Sequence, residues 1–445
     1  MLISLFFVFI IIIWIILGTS TLRLNPFIVL LVGAFAFGLL LGLPLLDITQ
    51  TILNGFVNTL KSIGLLIVFG TLIGAALELS GGAHAMANGL LKFLHKLPLP
   101  LAISCIGYVV SIPVFCDAAF VILAQLNKSL AQKTKTSLVG LSVALSTGLF
   151  APHVLIPPTP GPLAAAANLN LNQLSLLIIT GGIIGFILIL VGGSYALYVS
   201  KKYTYVEMDT PMAIKQESIN TGEPSFGKSI LPILLPLFLM CLGAFLPKNS
   251  LPENIGSLVP MVSKPEGALG IGLFFALILV LPKGTIAINQ ALQKGIKQAL
   301  PILLITAMGG ALGKMIGHIS LDKQLADLSQ LESLGLLVPF LIAAFLKTAQ
   351  GSSTVAIITA ASIVFPLLPL LELNSEMGKV WVIMAIGTGA MTVSHANDSY
   401  FWIVSQMSGM DVKTAYKTHT LGTLIQGTIG IVVVLIGYYG WLWFV

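Results

Sequence analysis

The chain has 445 residues, of which 56% are hydrophobic and only 9% are charged, and its formal net charge is +6. Soluble domains carry about 25% charged residues, so this composition excludes a soluble globular protein and indicates a polytopic membrane protein. The positive charge does not indicate a nucleic-acid partner, because the lysines are scattered between apolar runs, where membrane topology explains them.

Apolar runs long enough to cross a bilayer as helices begin at the N-terminus and recur along the chain. The first run, residues 1–17, lacks the basic start and the small-residue cleavage site of a signal peptide, so we expect a retained first helix. Runs of about 17–25 apolar residues meet the length that a spanning helix needs. The sequence therefore predicts an all-α membrane protein.

Two segments of the first half are apolar but interrupted. The segment at about 100–126 contains SIPVFCDAAF, and the segment at about 137–168 contains STGLFAPHVLIPPTPGP. Proline inside a helix removes a backbone hydrogen bond, and glycine permits unwound backbone. We predict a re-entrant helical hairpin over the first segment and a broken helix over the second.

A long polar stretch, residues 201–228, separates the first half (1–200) from the second half (229–445), and we predict a cytoplasmic linker there. The second half repeats the order of features in the first. A glycine-rich span is followed by a hairpin at about 335–369, which contains KTAQGSST, and by a broken helix at about 380–410, which contains GTGAMTVSHANDSYF. Such internal similarity predicts two structural repeats.

Length and charge both favour the hairpins. As one straight helix, residues 335–369 would be about 50 Å long, whereas the bilayer core is about 30 Å thick. If both hairpin segments enter and leave on one side, most lysines lie in cytoplasmic loops, as the positive-inside rule requires. The repeats are then inverted, and both termini are periplasmic. Inverted repeats with broken helices at their interface are typical of secondary transporters.

Ionisable side chains at these breaks are candidates for proton coupling, because charges inside a membrane are costly and usually functional. The candidates are Asp117, Lys347, His395 and Asp398. Structural roles are open for each of them. The two aspartates can cap helix N-termini, the lysine can extend to an interface, and a buried histidine can serve packing alone.

Hydroxyl, amide and imidazole groups at the breaks are candidates for substrate binding. Half-helix N-termini supply free N–H groups and a positive dipole end for an anion. Arg23 is the only arginine and lies in a loop, so no guanidinium clamp is available for a phosphate or a dicarboxylate. The pattern favours a small, hydroxyl-rich substrate with at most about one negative charge. The predicted substrate-binding residues are Ser146, Thr147, His153, Thr159, Gln350, Gly351, Ser352, Ser353, Thr354, Thr388, Ser394, His395 and Asn397.

Motifs for ATP hydrolysis, metal binding and intramembrane catalysis are absent from the sequence. It contains no Walker A motif, no HExxH and no His/Cys cluster with metal-ligand spacing. Cys105, Cys116 and Cys241 lie in apolar surroundings, where cysteine usually acts as a small core residue. We therefore expect no cofactor, no metal and no enzymatic activity, and we expect transport driven by an ion gradient.

The same stretches resemble the gluconate permease (GntP) family of proton symporters. They occur in the family's order and span essentially the whole chain. The matching stretches are GTLIGAALELSGGAHAMANGLL (70–91), SIPVFCDAAFVILAQL (111–126), FAPHVLIPPTPGPLAAAANL (150–169), KTAQGSSTVAIITAA (347–361) and GTGAMTVSHANDSYFWIVSQ (387–406).

This resemblance implies proton-coupled uptake of gluconate or a related sugar acid across a bacterial inner membrane. It also implies an elevator-type transporter, in which a transport domain moves against a scaffold, and a possible homodimer. The expected partners are a small sugar-acid anion, protons and the lipid bilayer. Three alternatives stay open: a carrier for a small amino acid such as D-serine, a Na⁺-coupled carrier, and an ion channel built from polar hairpins.

Overall fold

The computed structural model describes residues 24–203, 224–245, 258–316, 334–396 and 398–443, together with positions 7, 10, 11, 13–15, 17, 18 and 22. The side chains at positions 63, 125, 241–245, 258–260 and 350 are outside this description. Most of the predicted linker, residues 204–223, also lies outside it, as do both chain ends. All regular secondary structure in the described residues is helical.

The first half contains eight described helices. They are α1 (Pro26–Leu40), α2 (Leu45–Ser80), α3 (Gly82–Phe93), α4 (Leu99–Ser111), α5 (Cys116–Thr134), α6 (Leu138–Leu155), α7 (Pro160–Asn168) and α8 (Leu174–Lys202).

The second half contains ten described α-helices, two 3₁₀ helices (Leu281–Lys283 and Phe365–Leu367) and one turn of π-helix, Tyr416–Thr420, which joins the last two α-helices. The following ranges are those of the α-helices. They are α9 (Phe226–Phe245), α10 (Leu258–Ser263), α11 (Pro265–Val280), α12 (Gly284–Ile316), α13 (Leu337–Gln350), α14 (Ser353–Val364), α15 (Glu376–Ala390), α16 (Ser399–Met407), α17 (Val412–Ala415) and α18 (Leu421–Leu442).

Several helical stretches are suited to crossing a membrane. Among the described residues, four are long and apolar enough: Leu138–Asn168, Leu174–Lys202, Pro265–Ile316 and Val412–Leu442. A fifth, α2, bends by 48° between Ser62 and Gly64. These helices confirm the prediction of an all-α, multi-pass membrane protein.

Each interruption between consecutive helices has a local cause in the sequence. Pro113 lies between α4 and α5, and Pro157 and Pro158 lie between α6 and α7, where proline cannot donate to the helical ladder. Gly351 ends α13 with a φ of 82°, a left-handed conformation that suits glycine. Residues 391–398, five of which are polar, separate α15 from α16. Helix α5 continues to Thr134, whereas the sequence predicts a hairpin that ends at about residue 126. The polar residues after 126 thus extend the helix.

The helices pack in two groups. The outer group consists of α1, α2, α9, α11 and α12, in which α2 packs along most of α12. The core group consists of α4, α6, α8, α13, α15 and α18, in which α6 packs against both α4 and α8, and α15 packs against α13 and α18. The short helices α7 and α14 pack on each other and also contact the outer group.

Glu376 at the start of α15 links the two halves of the chain at a helix end. Its carboxylate accepts hydrogen bonds from the backbone N–H groups of Asn172 and Gln173 at 2.9 and 3.1 Å, just before α8. Burial acts to raise the pKa of Glu376, but these bonds, the Asn172 side chain and Lys379 together lower it below its usual value.

Helices α4 and α6 cross with their backbones in contact. A Cβ atom at Gly148 would lie 2.5 Å from the carbonyl oxygen of Ser104, and one at Gly107 would lie 2.9 Å from the backbone of Gly148. Ser104 Oγ in turn donates to the carbonyl of Ala144 at 3.0 Å. Glycine is therefore required at this crossing for a steric reason.

We expect Gly148→Ala to lower the melting temperature of the purified protein, because the added methyl group must displace the backbone of α4. Overpacking of this kind typically costs about 1–3 kcal/mol. Gly440→Ala is the control, since a Cβ atom there would meet nothing within 4 Å in the described chain. Equal melting temperatures of the two variants in detergent, measured by scanning fluorimetry, would contradict the close crossing.

Candidate functional site

A cavity of about 260 Å³ lies where the helix breaks come together. This size is slightly below the roughly 300–1,000 Å³ of pockets for drug-sized ligands, and it fits a smaller molecule. Its lining comes from the starts of α5, α14 and α16 and from the end of α6. The lining residues are Phe115, Cys116, Asp117, Phe150, His153, Gly351, Ser352, Ser353, Thr354, Asp398, Ser399 and Tyr400.

Three helix N-termini border this cavity, and they differ in how their positive ends are compensated. Asp398 caps α16 and accepts from the backbone N–H of Tyr400 at 3.0 Å. Asp117 lies in the first turn of α5. The first turn of α14 contains no acidic residue, and its cap is the neutral hydroxyl of Ser352. The N-terminus of α14 is therefore the one at which a bound anion would be most strongly favoured.

A buried ion pair connects two of the breaks. Lys347 Nζ lies 2.5 Å from Asp398 Oδ2, and the two side chains are only 1% and 7% exposed. Lys347 also donates to the carbonyl of Gly351 at 2.7 Å, at the break between α13 and α14. The ammonium group thus joins that break to the one between α15 and α16.

A chain of hydrogen bonds continues from Asp398 into the protein. Ser394 Oγ donates to Asp398 Oδ2 at 2.6 Å, and His419 lies 3.0 Å from Ser394 Oγ through Nε2 and 3.1 Å from Ser146 Oγ through Nδ1. A carboxylate only accepts, so the one hydroxyl proton of Ser394 is directed to Asp398. Ser394 must then accept from His419, which assigns the ring proton to Nε2.

Asp117 has much weaker partners than Asp398. Ser399 Oγ lies 3.5 Å from Oδ2, and the thiol of Cys116 lies 3.7 Å from Oδ1. Within the described ranges, no lysine, arginine or histidine forms an ion pair with it. Asp117 is half-buried and lines the cavity.

His153 presents an imidazole on the side of the cavity formed by α6. Its ring stacks on Phe150 with centroids 6.5 Å apart and an interplanar angle of 17°. Phe115 packs on it with a centroid distance of 6.1 Å. Its buried Nδ1 has no hydrogen-bond partner among the described residues. A ligand hydroxyl in the cavity is a suitable partner for this histidine.

Comparison with known proteins identifies the family. The model of the GntP family permeases matches residues 3–438. The chain belongs to the GntP permease family. The protein is therefore a transporter and not an enzyme, as its sequence predicts.

Curated relatives of this GntP permease cover nearly its full length. An uncharacterized permease of Haemophilus influenzae is 36% identical over 428 residues, which are 92% of this chain and 86% of the relative. The gluconate permease of Pseudomonas aeruginosa is 30% identical over 435 residues, 93% of each chain. The D-serine transporter DsdX of Escherichia coli K12 is 30% identical over 429 residues, 94% of this chain and 95% of the relative.

A solved structure shares the fold of the permease at low sequence identity. The crystal structure of the YdaH transporter of Alcanivorax borkumensis, described as having an unusual topology, matches with a TM-score of 0.63 over 89% of each chain. The identity is 14%, so this likeness supports the fold alone.

The structure brings most of the residues predicted from the sequence to one place. Lys347 and Ser394 contact Asp398, and His395 Nε2 lies 2.9 Å from the carbonyl of Thr348 at the end of α13. The predicted residues that line the cavity are Asp117, His153, Gly351, Ser352, Ser353, Thr354 and Asp398.

Other predicted residues lie apart from the cavity. The hydroxyls of Thr147 and Thr388 donate to carbonyls of their own helices at 2.8 and 3.0 Å, and that of Thr159 contacts the carbonyl of Ile156. Ser146 does not line the cavity, and it contacts the site through His419 and Tyr400. The side chain of Gln350 and all of Asn397 lie outside the described residues. Substrate contacts of these residues remain predictions.

Two residues that sequence reasoning missed belong to the site. His419 is fully buried in the π-helical turn before α18, and Tyr400 donates to the carbonyl of Ser146 at 3.0 Å. His419 lies outside the interrupted segments, which is why the sequence did not draw attention to it. The available signal was an ionisable residue at the edge of an apolar run.

We expect Lys347→Met to lower the melting temperature strongly, because it leaves the Asp398 carboxylate buried without its cation. Removing one partner of a buried pair costs about 3–5 kcal/mol. The double variant Lys347→Met/Asp398→Asn should recover part of this loss. The control is Lys379→Met, which removes a longer ion pair. Lys379 Nζ lies 3.4 Å from Glu376 Oε1, and the Glu376 side chain is 29% exposed, so its carboxylate keeps contact with solvent. Additive effects in the double variant would contradict the coupling of Lys347 with Asp398.

Proposed function

We propose that this permease is a secondary active transporter that couples proton entry to uptake of gluconate or a related sugar acid across the bacterial inner membrane. One observation carries the proposal: the N-terminus of α14, which lacks an acidic residue, borders a polar cavity that also contains Asp117 and His153. Relatives named gluconate permease in Pseudomonas aeruginosa and Bacillus subtilis support this substrate class.

The substrate carboxylate is proposed to bind at the start of α14. Backbone N–H groups in the first turn of a helix have no intrahelical acceptor, so those of Ser353 and Thr354 are available to an anion. The hydroxyl of Ser352 already accepts from Val355 N at 3.3 Å. The sugar hydroxyls would then extend toward His153, which also lines the cavity.

Charge balance in the cavity supports coupling to a proton. Asp117 and Asp398 are negative and Lys347 is positive, so these side chains sum to one negative charge. A bound monoanion would double this charge beside buried side chains, where uncompensated charge is costly. A proton that enters with the substrate removes the added charge.

We also propose that the two halves are inverted repeats. In this assignment, α2, α4–α5, α6–α7 and α8 correspond to α12, α13–α14, α15–α16 and α18, and α4–α5 and α13–α14 are the re-entrant hairpins. Reciprocal packing supports it, because α14 contacts α7 of the first half and α5 contacts α16 of the second. The linker 201–228 would then be cytoplasmic and both termini periplasmic.

The packing also supports an elevator mechanism. The outer group would be the scaffold and the core group the moving part, with a possible homodimer formed through the scaffold. Glycines line the boundary: Cβ atoms at Gly70 and Gly74 of α2 would lie 3.0 Å from Pro158 O and 2.5 Å from Pro113 O. Close backbone approach without intervening side chains at these two positions suits relative movement of the two groups.

Uptake of labelled gluconate by proteoliposomes with an inward proton gradient tests the function directly. We expect accumulation that saturates with gluconate concentration and stops when a protonophore removes the gradient. No flux above that of empty vesicles would exclude the proposal. Unitary currents in planar bilayers would indicate a channel instead.

A D-serine carrier is the second candidate, because the D-serine transporter DsdX of E. coli is as similar to this chain as the gluconate permease of P. aeruginosa. Competition of labelled gluconate uptake by unlabelled D-serine and glycerate distinguishes the two substrates. The same assay with and without sodium distinguishes proton coupling from Na⁺ coupling.

The proposed sliding boundary makes a prediction for α2. We expect Gly74→Ala to slow uptake by about tenfold or more while gluconate binding, measured by thermal shift, stays within about threefold, since overpacking acts on the boundary and not on the cavity. Gly64→Ala on the same helix is the control, because a Cβ atom there meets nothing within 4 Å in the described chain. Equal uptake rates for the two variants would argue against movement along this surface.

A further inference from the structure

Two carboxylates line the cavity, and the protein surrounds them in different ways. We propose that the transported proton binds Asp117, whereas Asp398 stays ionised as the fixed partner of Lys347. This inference rests on the proposed proton coupling and names the side chain that carries it out. The assignment follows from the donors available to each carboxylate.

Both oxygens of Asp398 are occupied by strong donors. Oδ2 accepts from Lys347 Nζ at 2.5 Å and from Ser394 Oγ at 2.6 Å, and Oδ1 accepts from Tyr400 N at 3.0 Å. Hydrogen bonds of this kind are about twice as strong when the acceptor is ionised. Protonation of Asp398 would leave the ammonium group of Lys347 buried without a counter-ion, which is costly.

His419 acts as a positioning residue for Asp398. With the ring proton assigned to Nε2, His419 donates to Ser394 Oγ, which is consistent with the serine hydroxyl donating to the carboxylate. Both ring nitrogens have serine partners, and the residue is completely buried, so the ring is fixed. The hydrogen bonds from His419 through Ser394 keep Asp398 oriented toward Lys347.

Among the residues that the structure describes, Asp117 has no donors of this strength. Its contact to Ser399 Oγ at 3.5 Å is longer than the roughly 2.5–3.0 Å of ordinary O–H···O bonds. Its contact at 3.7 Å is to the thiol of Cys116, which is a weak donor. The titratable or charged groups around it are Cys116, His153, Lys347, Asp398 and Tyr400. Among these, Lys347 is the one permanent cation, and it is paired with Asp398.

The protonation step is simple. A proton from water on the outer side forms an O–H bond on Asp117, which becomes neutral while the sugar-acid anion occupies the cavity. On the inner side the O–H bond breaks, and the proton returns to water after the anion has left. Asp117 suits this exchange because it is half-buried and borders the cavity.

Transport assays on matched variants separate the two carboxylates. We expect Asp117→Asn to abolish proton-driven gluconate accumulation while counterflow, which needs no net proton movement, stays within about threefold of wild type. Asp398→Asn should lower both activities by about tenfold or more, because it disrupts the fixed pair. The opposite pattern in folded variants, with counterflow retained only in Asp398→Asn, would overturn the proposal.

The role of His419 is tested by comparing two substitutions. His419→Ala should raise the half-saturating gluconate concentration about tenfold, whereas His419→Gln, whose amide can donate to Ser394, should stay within about threefold. His95→Gln, at an exposed histidine bonded to the carbonyl of Lys92, is the control. Equal half-saturation for Ala and Gln at position 419 would contradict a positioning role.

A spectroscopic test needs no substrate. The chain has 16 Asp and Glu residues, so infrared difference spectra of the purified protein between high and low pH contain several carboxylic-acid C=O bands. One of these bands should be present in wild type and Asp398→Asn and missing from Asp117→Asn. A band that is missing from Asp398→Asn and kept in Asp117→Asn, or wild-type and Asp117→Asn spectra with the same C=O bands, would overturn the assignment. Failure of the proposed function would instead appear as wild-type uptake that does not respond to the proton gradient.

Discussion

The buried ion pair between Lys347 and Asp398 is the interaction on which the site depends. A lysine that is 1% exposed inside an apolar helical protein must have a counter-ion, because the membrane core supplies no water to solvate it. Since the two residues lie in different helices, their pairing fixes the break after α13 against the break before α16. The cavity, which Asp398 and Gly351 both line, therefore has a defined shape.

Unwound backbone at membrane depth requires partners, and nearby side chains supply them. The N–H of Ser394 donates to Thr423 Oγ1 at 3.1 Å, and the carbonyl of Ser394 accepts from Thr420 Oγ1 at 2.5 Å. The carbonyl of Ala396 accepts from the indole of Trp402 at 2.8 Å. Broken helices are tolerated in membranes only where such bonds exist, so the start of α18 and α16 are as necessary to the site as the residues that line it.

In the proposed function, the arrangement of charges favours an anion in the site without any arginine. Three helix N-termini point positive ends toward the cavity, and two of them are compensated by Asp117 and Asp398. The remaining one, at Ser353, is compensated only by a neutral hydroxyl. A bound monoanion would thus compensate the third helix N-terminus in the way that the two carboxylates compensate the others. Because the anion is not part of the protein, this compensation can be gained and lost during transport.

The sequence by itself determined the membrane environment, the helical class and the positions of the breaks, because these depend on local composition and on proline and glycine. It also singled out Asp117, His153 and Asp398, since polar groups in apolar runs are conspicuous. Some hydroxyls that it predicted in the site, such as that of Thr388, donate to a carbonyl of their own helix instead. Sequence spacing alone does not show whether such a hydroxyl bonds to its own backbone or to a substrate.

Only the tertiary structure decided which polar groups meet. Lys347 and Asp398 are 51 residues apart, and His419 and Ser146 are 273 apart, so no local pattern relates them. The physical reason is that each pairing depends on how distant helices cross, and those crossings are set by close contacts such as that of Gly148 with Ser104. The sequence thus determines which chemical groups are present, and helix packing determines which of them form ion pairs and hydrogen bonds with each other.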